Sequence, residues 1–525
     1  MSGVRARRAT AGSACKTVLV YPNKRQIAMT NLGFTWVREL LDRLPGVSCE
    51  SAVLDPDNGR TLSLESGSPL SEFDLVAFSQ SFELDHLNVV GMLRAGGVEP
   101  LAQARPAGAP YVIAGGIAAA INPEPLAQIV DAFALGEAEA LLPKLGPFLA
   151  QGPDRIERAR WLRELADLPG IYVPRFYRWD PLRGHLPEPG LLRRVRYLRC
   201  EAAPEEVPVS PAGAGTSQFG DALIVEVGRG CGRGCRFCVA GRIYRPVRFQ
   251  PMARLREVID RRLIPGREIG LQGTAVSDHP QIAELIRELA DEGHRVSLSS
   301  IRAGSFGPEQ YADLARSGLQ QVALAPEAGS ERLRGLMGKR IDDEVFVAEA
   351  EQIAAAGIKR VKLYFMSGLP TQTAADVEAV AALARRIRGV AGNRLRVLVG
   401  LTPFVPKPHT ELQWHPYAHP KEHAAMVRRV RELLRHERGI SVSAESARLS
   451  QVQSLLARGD RDLYPLLHSG EKGISAALRA WGGKIDEHTG RPRKADEPFP
   501  WEIVDVGVER GLLYQGYQRV IEATD

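Results

Sequence analysis

The stretch Glu226-Val-Gly-Arg-Gly-Cys231-Gly-Arg-Gly-Cys235-Arg-Phe-Cys238-Val-Ala-Gly241 sets three cysteines within eight residues, spaced C-x3-C-x2-C. That spacing gathers three thiolates around one small object. Gly228, Gly230, Gly232 and Gly234 leave the backbone free to wrap closely and to offer N–H groups to sulfur. Thiolates select zinc, copper(I) or iron–sulfur clusters. A closed zinc site or a ferredoxin-type cluster takes four protein ligands, and no fourth cysteine lies nearby. Two readings stand at this point. One is a zinc loop completed by a distant ligand such as His279 or Cys200. The other is a four-iron cluster on Cys231, Cys235 and Cys238 with one iron left open for chemistry.

Outward from this loop, strand and helix patterns alternate. Strands are expected over Ala222–Val227, Glu268–Gln272, Val296–Ile301, Gln321–Ala325, Arg360–Phe365 and Arg396–Leu401. Helical patterns fall between them at Met252–Leu263, Gln281–Glu292, Pro308–Ser317, Asp342–Ala356 and Ala374–Arg388. Six β/α units suit a partial, TIM-barrel-like (β/α)6 barrel over 219–415, whose active residues sit at strand C-terminal ends. The cysteine loop follows the first strand directly.

The C-x3-C-x2-C run with Phe237 before its last cysteine resembles the signature of radical S-adenosylmethionine (radical SAM) enzymes. The resemblance implies that the open iron chelates the amino and carboxylate groups of S-adenosylmethionine. It also implies that an electron from the 4Fe-4S cluster cleaves that cofactor to a 5′-deoxyadenosyl radical. The later strand ends are similar to the cofactor-binding turns of the same enzymes. Gly273 lies in the glycine turn Gly270-Leu-Gln-Gly-Thr274, Ser299 and Ser300 precede Arg302, and Glu327 ends the fourth strand. The resemblance gives Arg302 a carboxylate and Glu327 the ribose hydroxyls. Arg229, Arg233, Arg236, Arg242, Arg245 and Arg248 crowd the loop, where they are either a solvated face or tuning charges beside an anionic cluster.

Before the barrel, Lys16–Pro22 reads as a buried strand and Thr30–Leu44 as a helix capped by Thr30 or Asn31. Short apolar runs at Val47–Leu54, Phe73–Ser79, Tyr111–Ala114 and Ala132–Leu135 alternate with helical patterns. This pattern predicts an open, Rossmann-like parallel sheet over 16–150, which binds ligands beyond its strand C-termini. Gly115, Gly116 and the run Gly136-Glu-Ala-Glu139 fall on that edge. The stretch resembles the cobalamin-binding domains fused to radical enzymes, which implies cobalamin as a further cofactor. It departs from them at Pro22-Asn-Lys-Arg-Gln-Ile-Ala, where Asp-x-His-x-x-Gly would supply cobalt's lower ligand. His86 lies after the third strand, in the wrong place for that role, and reads as a half-exposed helix residue.

Residues 1–15 read as a disordered basic arm, 151–218 as a connector, and 416–525 as a mainly helical extension without a catalytic motif. Helical pattern runs there over Lys421–Arg438 and Val442–Leu456. At 525 residues and a net charge of +6, the chain has room for several cores and no bulk charge that argues for nucleic acid. No apolar run approaches the roughly 20 residues of a membrane helix. Clustered, odd-spaced cysteines fit a reducing cytoplasm, not a disulfide framework. The expected function is an enzyme that generates a radical and then abstracts hydrogen from, or moves a methyl group to, an unactivated carbon. A low-potential donor such as a flavodoxin or ferredoxin would reduce its cluster. The alternatives are sulfur insertion, as in methylthiotransferases, and a corrinoid or iron–sulfur regulator without turnover.

Overall fold

The computed structural model describes residues 15–523 except 56, 58, 155–156, 212–221 and 300. The basic arm, apart from Cys15, and Ser300 therefore lie outside the described residues.

Strand β1 (Cys15–Lys24) is buried along most of its length, because helices cover both faces of its sheet. It pairs in parallel with β2 (Val47–Leu54) on one side and β3 (Leu75–Ser79) on the other. The ladder continues through β4 (Tyr111–Gly115) and β5 (Ala132–Ala134) to an antiparallel edge strand, β6 (Ile171–Tyr172). The order β2-β1-β3-β4-β5-β6 is an open α/β sheet of the kind expected. The helix Leu32–Asp42 starts where Asn31 accepts a hydrogen bond from the Phe34 N–H at 2.9 Å, which satisfies one orphan donor of its first turn.

The connector adds a hairpin, β7 (Tyr177–Asp180) with β8 (Gly184–Pro187), and a short strand β9 (Val195–Arg196). The barrel follows. β10 (Leu223–Arg229) takes β11 (Arg248–Phe249) antiparallel on one side and β12 (Glu268–Gly273) parallel on the other, and β13 (Arg295–Leu298) lies beyond. A second parallel set runs β14 (Gln321–Glu327), β15 (Arg360–Ser367), β16 (Arg396–Pro403) and β17 (Ile440–Ala444). Among the described residues no ladder joins β13 to β14, so the barrel is open there. β17 is a seventh parallel strand beyond residue 415, and it occupies the start of the stretch Val442–Leu456 that reads as helix in the sequence. The helix itself runs Ala447–Arg458.

The C-terminal extension divides between two partners. Val452, Leu455, Leu456, Leu463, Leu466 and Leu467 are buried in the same apolar cluster as Val76, Val112 and Phe133 of the N-terminal sheet. Phe499, Trp501 and Tyr517 instead pack with Leu333, Met337, Phe404 and Trp414 of the barrel, and Phe237 of the cysteine loop touches this cluster. The last strand, β18 (Val504–Asp505), pairs with β9.

Candidate functional site

The cysteine loop leaves the C-terminal end of β10 and is held by its neighbours. The Arg236 N–H donates to the Met337 carbonyl at 3.0 Å, and the Arg236 side chain reaches the Gly516 carbonyl at 2.9 Å. Gly338, at φ +74°, lies so close to Gly234 that a Cβ would stand 2.5 Å from its carbonyl oxygen. Cys231, Cys235 and Cys238 are free and half-buried. Burial pushes the Cys235 thiol up to about 11, against the pull of Lys339, and burial raises Cys238 as well. Ligation must therefore displace protons, as thiolate binding to a metal centre does.

The loop sulfurs are not gathered as a zinc ion would gather them. A tetrahedral zinc with bonds of about 2.3 Å draws its sulfurs within about 4 Å of one another. Among the described residues one set of metal-binding atoms lies mutually within 4.8 Å, and it is Glu137, Glu139 and Cys200, not the loop cysteines. His279 does not complete a zinc site, since its Nε2 lies 2.9 Å from the Gln250 carbonyl and its Nδ1 accepts from the Gln281 N–H. The Glu137–Glu139 charge is already matched by arginine. Arg248 binds Glu137 through both oxygens, and Arg229 reaches Glu137, Glu139 and Glu226 at 2.8–3.1 Å. Burial would raise the Glu137 carboxyl, but the Arg248 hydrogen bonds and the charges of both arginines hold it below the usual carboxylate range.

The other loop arginines have partners too. Arg233 pairs with Asp278, Arg236 and Arg242 share Glu411, and Arg245 donates to the Arg233 carbonyl. Most of the basic crowd around the loop is thus a set of clamps that fix it to the sheet edge, the barrel and the C-terminal segment.

Beside the loop, a cavity of about 630 Å³ runs from the N-terminal sheet to the barrel. Its apolar floor is Leu19, Leu75, Ile113, Leu141, Leu142 and Leu145, between the sheet and the helices Leu32–Asp42 and Ala138–Leu149. Its polar rim carries Asn31, Ser79, Ser81, Glu137, Glu139 and Arg229, and Gln272, Gly273, Thr274 and Ser299 close the barrel side. Gly115 and Gly116 line it. At φ +96°, Gly116 would put a Cβ 2.5 Å from the Gln80 carbonyl oxygen, so close backbone packing alone requires glycine there. No histidine is among the lining residues. His86 is fully buried, not half-exposed, with its Nδ1 3.0 Å from Gln80 Oε1, and burial lowers it to about 4.

The strand ends of the barrel bring several expected residues together. Ser299 Oγ lies 3.3 Å from both the N and the O of Gly273. Glu327 ends β14 at φ +70°, a costly conformation for a residue other than glycine, and its carboxylate takes Lys339 Nζ at 3.0 Å. Its charge is felt at Cys235 and Cys238, which sets Glu327 beside the loop. Arg302 is half-buried, donates its N–H to Ser277 Oγ at 2.9 Å, and is not part of the cavity wall. Sequence reasoning missed Lys339, whose only signal is its place beside Gly338, and the clasping role of Glu137, which no local pattern announces.

Residues 34–174 match the family model "Radical SAM proteins, N-terminal" and residues 225–384 that of the "Radical SAM superfamily". The chain belongs to the radical SAM superfamily. This radical SAM enzyme is 28% identical over 451 residues to the uncharacterized protein MJ0966 of Methanocaldococcus jannaschii, covering 86% of this chain and 90% of that one. Its fold is that of the radical S-adenosylmethionine methyltransferase TsrM of Kitasatospora setae, solved with cobalamin and a [4Fe-4S] cluster bound. That likeness has a TM-score of 0.51 at 13% identity and covers 89% of this chain and 99% of that one. No helix among the described residues of the radical SAM chain is long and apolar enough to cross a membrane.

Proposed function

We propose that Cys231, Cys235 and Cys238 hold a [4Fe-4S] cluster for the reductive cleavage of S-adenosylmethionine. We further propose that the cavity beside them holds cobalamin with no protein imidazole on its lower face. The reaction is then methyl transfer, or a related radical step, on an unactivated carbon. Bound there, the cluster supplies the electron and cobalamin the methyl-carrying chemistry. The chain's own residues do the rest. The three thiolates anchor the cluster, Gly273 and Ser299 offer backbone and hydroxyl groups at the barrel mouth, and Glu327 accepts hydrogen bonds from the hydroxyls of the nucleoside. Arg229 and Arg248 lock the sheet edge to the loop, so that the two cofactor sites stay in register and water is kept out.

The observation that carries this reading is the continuity of one cavity from Gly115 and Gly116 to Gly273 and Ser299, next to the cysteine loop. Its apolar floor suits a bulky apolar group, and its polar rim suits corrin amides. The reducing partner is a low-potential flavodoxin or ferredoxin, and the compartment is the cytoplasm. Sulfur insertion has less support: it needs a second cluster, and Cys15 and Cys49 are buried in β1 and β2, with burial pushing their thiols up to about 11 and about 12.

The test is anaerobic reconstitution with iron, sulfide and hydroxocobalamin, followed by desalting and incubation with S-adenosylmethionine and dithionite. A retained corrinoid spectrum together with 5′-deoxyadenosine is expected. Deoxyadenosine without retained corrinoid leaves a radical enzyme that does not use cobalamin. Neither product from a cluster-replete protein sinks the proposal.

A further inference from the structure

Four consecutive strands of the barrel present alternate residues to its open interior. On β15, Val361, Leu363 and Phe365 are buried in the core shared with the helices Asp343–Ala355 and Ala374–Ala391. Lys362, Tyr364 and Met366 therefore face the other way, into the barrel. Their neighbours across the ladders are Ala323 on β14 and Leu398, Gly400 and Thr402 on β16. Ala323, although inside the barrel, is solvent-exposed, as is Ser441 at the far side of the same face. The interior is thus open space reached by solvent.

Lys362 is the one lysine on this inner face. Its ammonium lies 4.5 Å from the centroid of the Tyr364 ring. Among the described residues no carboxylate comes within ion-pairing distance of it, whereas Lys339 and Lys407 are paired with Glu327 and Glu83. Gly400 lies opposite Tyr364, where a Cβ would rest in ordinary contact with Lys362 Cε and Tyr364 Cδ1 at 3.6 and 3.5 Å, so the pair covers this glycine. Glu327, beyond an irregularity in β14, stands opposite Phe365, three positions past Lys362 on β15, a rise of roughly 10 Å at about 3.3 Å per residue.

We propose that Lys362 and Tyr364 form the substrate-anchoring end of the site, and that the substrate is an anion. Its carboxylate or phosphate pairs with Lys362, Tyr364 packs beside it, and its reacting carbon lies roughly 10 Å above, level with Glu327. This rests on the radical reading of the strand ends, because that reading sets which end of the barrel reacts. The carboxylate of S-adenosylmethionine belongs to the cysteine-loop end and does not compete for this position.

The experiment uses cluster-loaded protein saturated with S-adenosylhomocysteine and titrated by calorimetry with three probes: 3-phenylpropanoate, phenyl phosphate and the neutral 3-phenylpropanamide. Wild type should bind one of the two anions at least 10-fold more tightly than the amide. The preferred anion tells carboxylate from phosphate substrates. Lys362→Met should weaken that anion roughly 10- to 100-fold, as loss of a charge-assisted contact does, while Lys362→Arg stays within about 3-fold. Tyr364→Phe serves as a second variant and should weaken it less than Lys362→Met. Equal binding of amide and anions, no binding of either anion, or an unchanged anion affinity in Lys362→Met overturns the proposal. Iron content is read on the same samples, and deoxyadenosine formation on the same preparations with S-adenosylmethionine and dithionite in place of S-adenosylhomocysteine. A protein that cleaves S-adenosylmethionine but fails the anion test refutes only the anchoring site, and one that binds anions through Lys362 without cleavage refutes the radical reading instead.

Discussion

Arg248 clasps Glu137 with both ends of its guanidinium, Nη1 to Oε2 at 2.8 Å and Nη2 to Oε1 at 2.7 Å. The pair ties β11, next to the cysteine loop, to the segment after β5. Both side chains are nearly inaccessible, so removing Arg248 leaves the buried Glu137 with Arg229 as its one cation, which it shares with Glu139 and Glu226. Arg248→Met should lower stability by about 3–5 kcal/mol, measured by urea unfolding monitored by tryptophan fluorescence. A change below about 1 kcal/mol would show that the two halves are held together elsewhere.

Glu124 gives a pH signature. Burial would raise its carboxyl, but the His185 hydrogen bond and the Arg461 charge hold it down to about 2. A depressed carboxyl stabilises the fold above its unfolded pKa of about 4.3, and that contribution is lost as pH falls through the folded value. Wild type should lose on the order of 3 kcal/mol between about pH 4.5 and pH 2 through this group, and Glu124→Gln should show a shallower acid limb. Identical acid limbs in both proteins would refute the assignment.

The three loop cysteines should act as a unit. Cys235→Ala is expected to abolish the broad visible absorbance of reconstituted protein, while Cys15→Ser, Cys49→Ser and Cys200→Ser keep full iron content. Full iron in the triple Cys231/Cys235/Cys238→Ala variant would end the cluster assignment.

At the cofactor end, Glu327→Gln frees Lys339 and removes a carboxylate whose charge reaches Cys235 and Cys238. S-adenosylmethionine affinity should fall roughly 10- to 150-fold with iron content unchanged. Arg302→Ala, if its guanidinium takes the carboxylate, should show a similar loss. Unaltered binding in both variants would move the nucleoside to another strand end.

Two glycines separate packing from ligand binding. Gly116→Ala should destabilise by about 2 kcal/mol or more, because of its positive φ and its contact with the Gln80 carbonyl. Gly115→Trp should fill the cavity and abolish retention of hydroxocobalamin. His86→Ala should leave retention unchanged, since His86 does not line the cavity. Corrinoid loss in His86→Ala, with the fold intact by circular dichroism, would count against the site.

The strands were legible because two periods operate: continuous apolar runs in β1 and β4, and alternation, strict in β15 and interrupted at the buried Gly400 in β16. The strand β17 was not, because Ile440–Ala444 is short, has little buried surface, and runs almost directly into a helix. Its strand character comes from pairing with β16, a tertiary effect that overrides local propensity. The cysteine loop was readable from spacing alone. Glu137 and Glu139 looked like part of a ligand-binding edge, yet their partners lie some 90 to 110 positions away, and local pattern carries no trace of such pairs.

The apolar core beneath β3 and β4 is completed by Leu455, Leu456, Leu463 and Leu466, which the ribosome delivers after the entire barrel. Asn122 Nδ2 donates to the carbonyls of Ala457 and Gly459, and Gln128 Nε2 to that of Arg461, so the late segment is stitched by polar contacts as well. The first domain to emerge is therefore the last to be finished. Its nascent form waits with an uncovered apolar surface while several hundred residues are added, an interval in which chains are prone to aggregate. The barrel is in effect an insert between two pieces of one core, and a chain cut after residue 415 should fail in its N-terminal half, far from the cut.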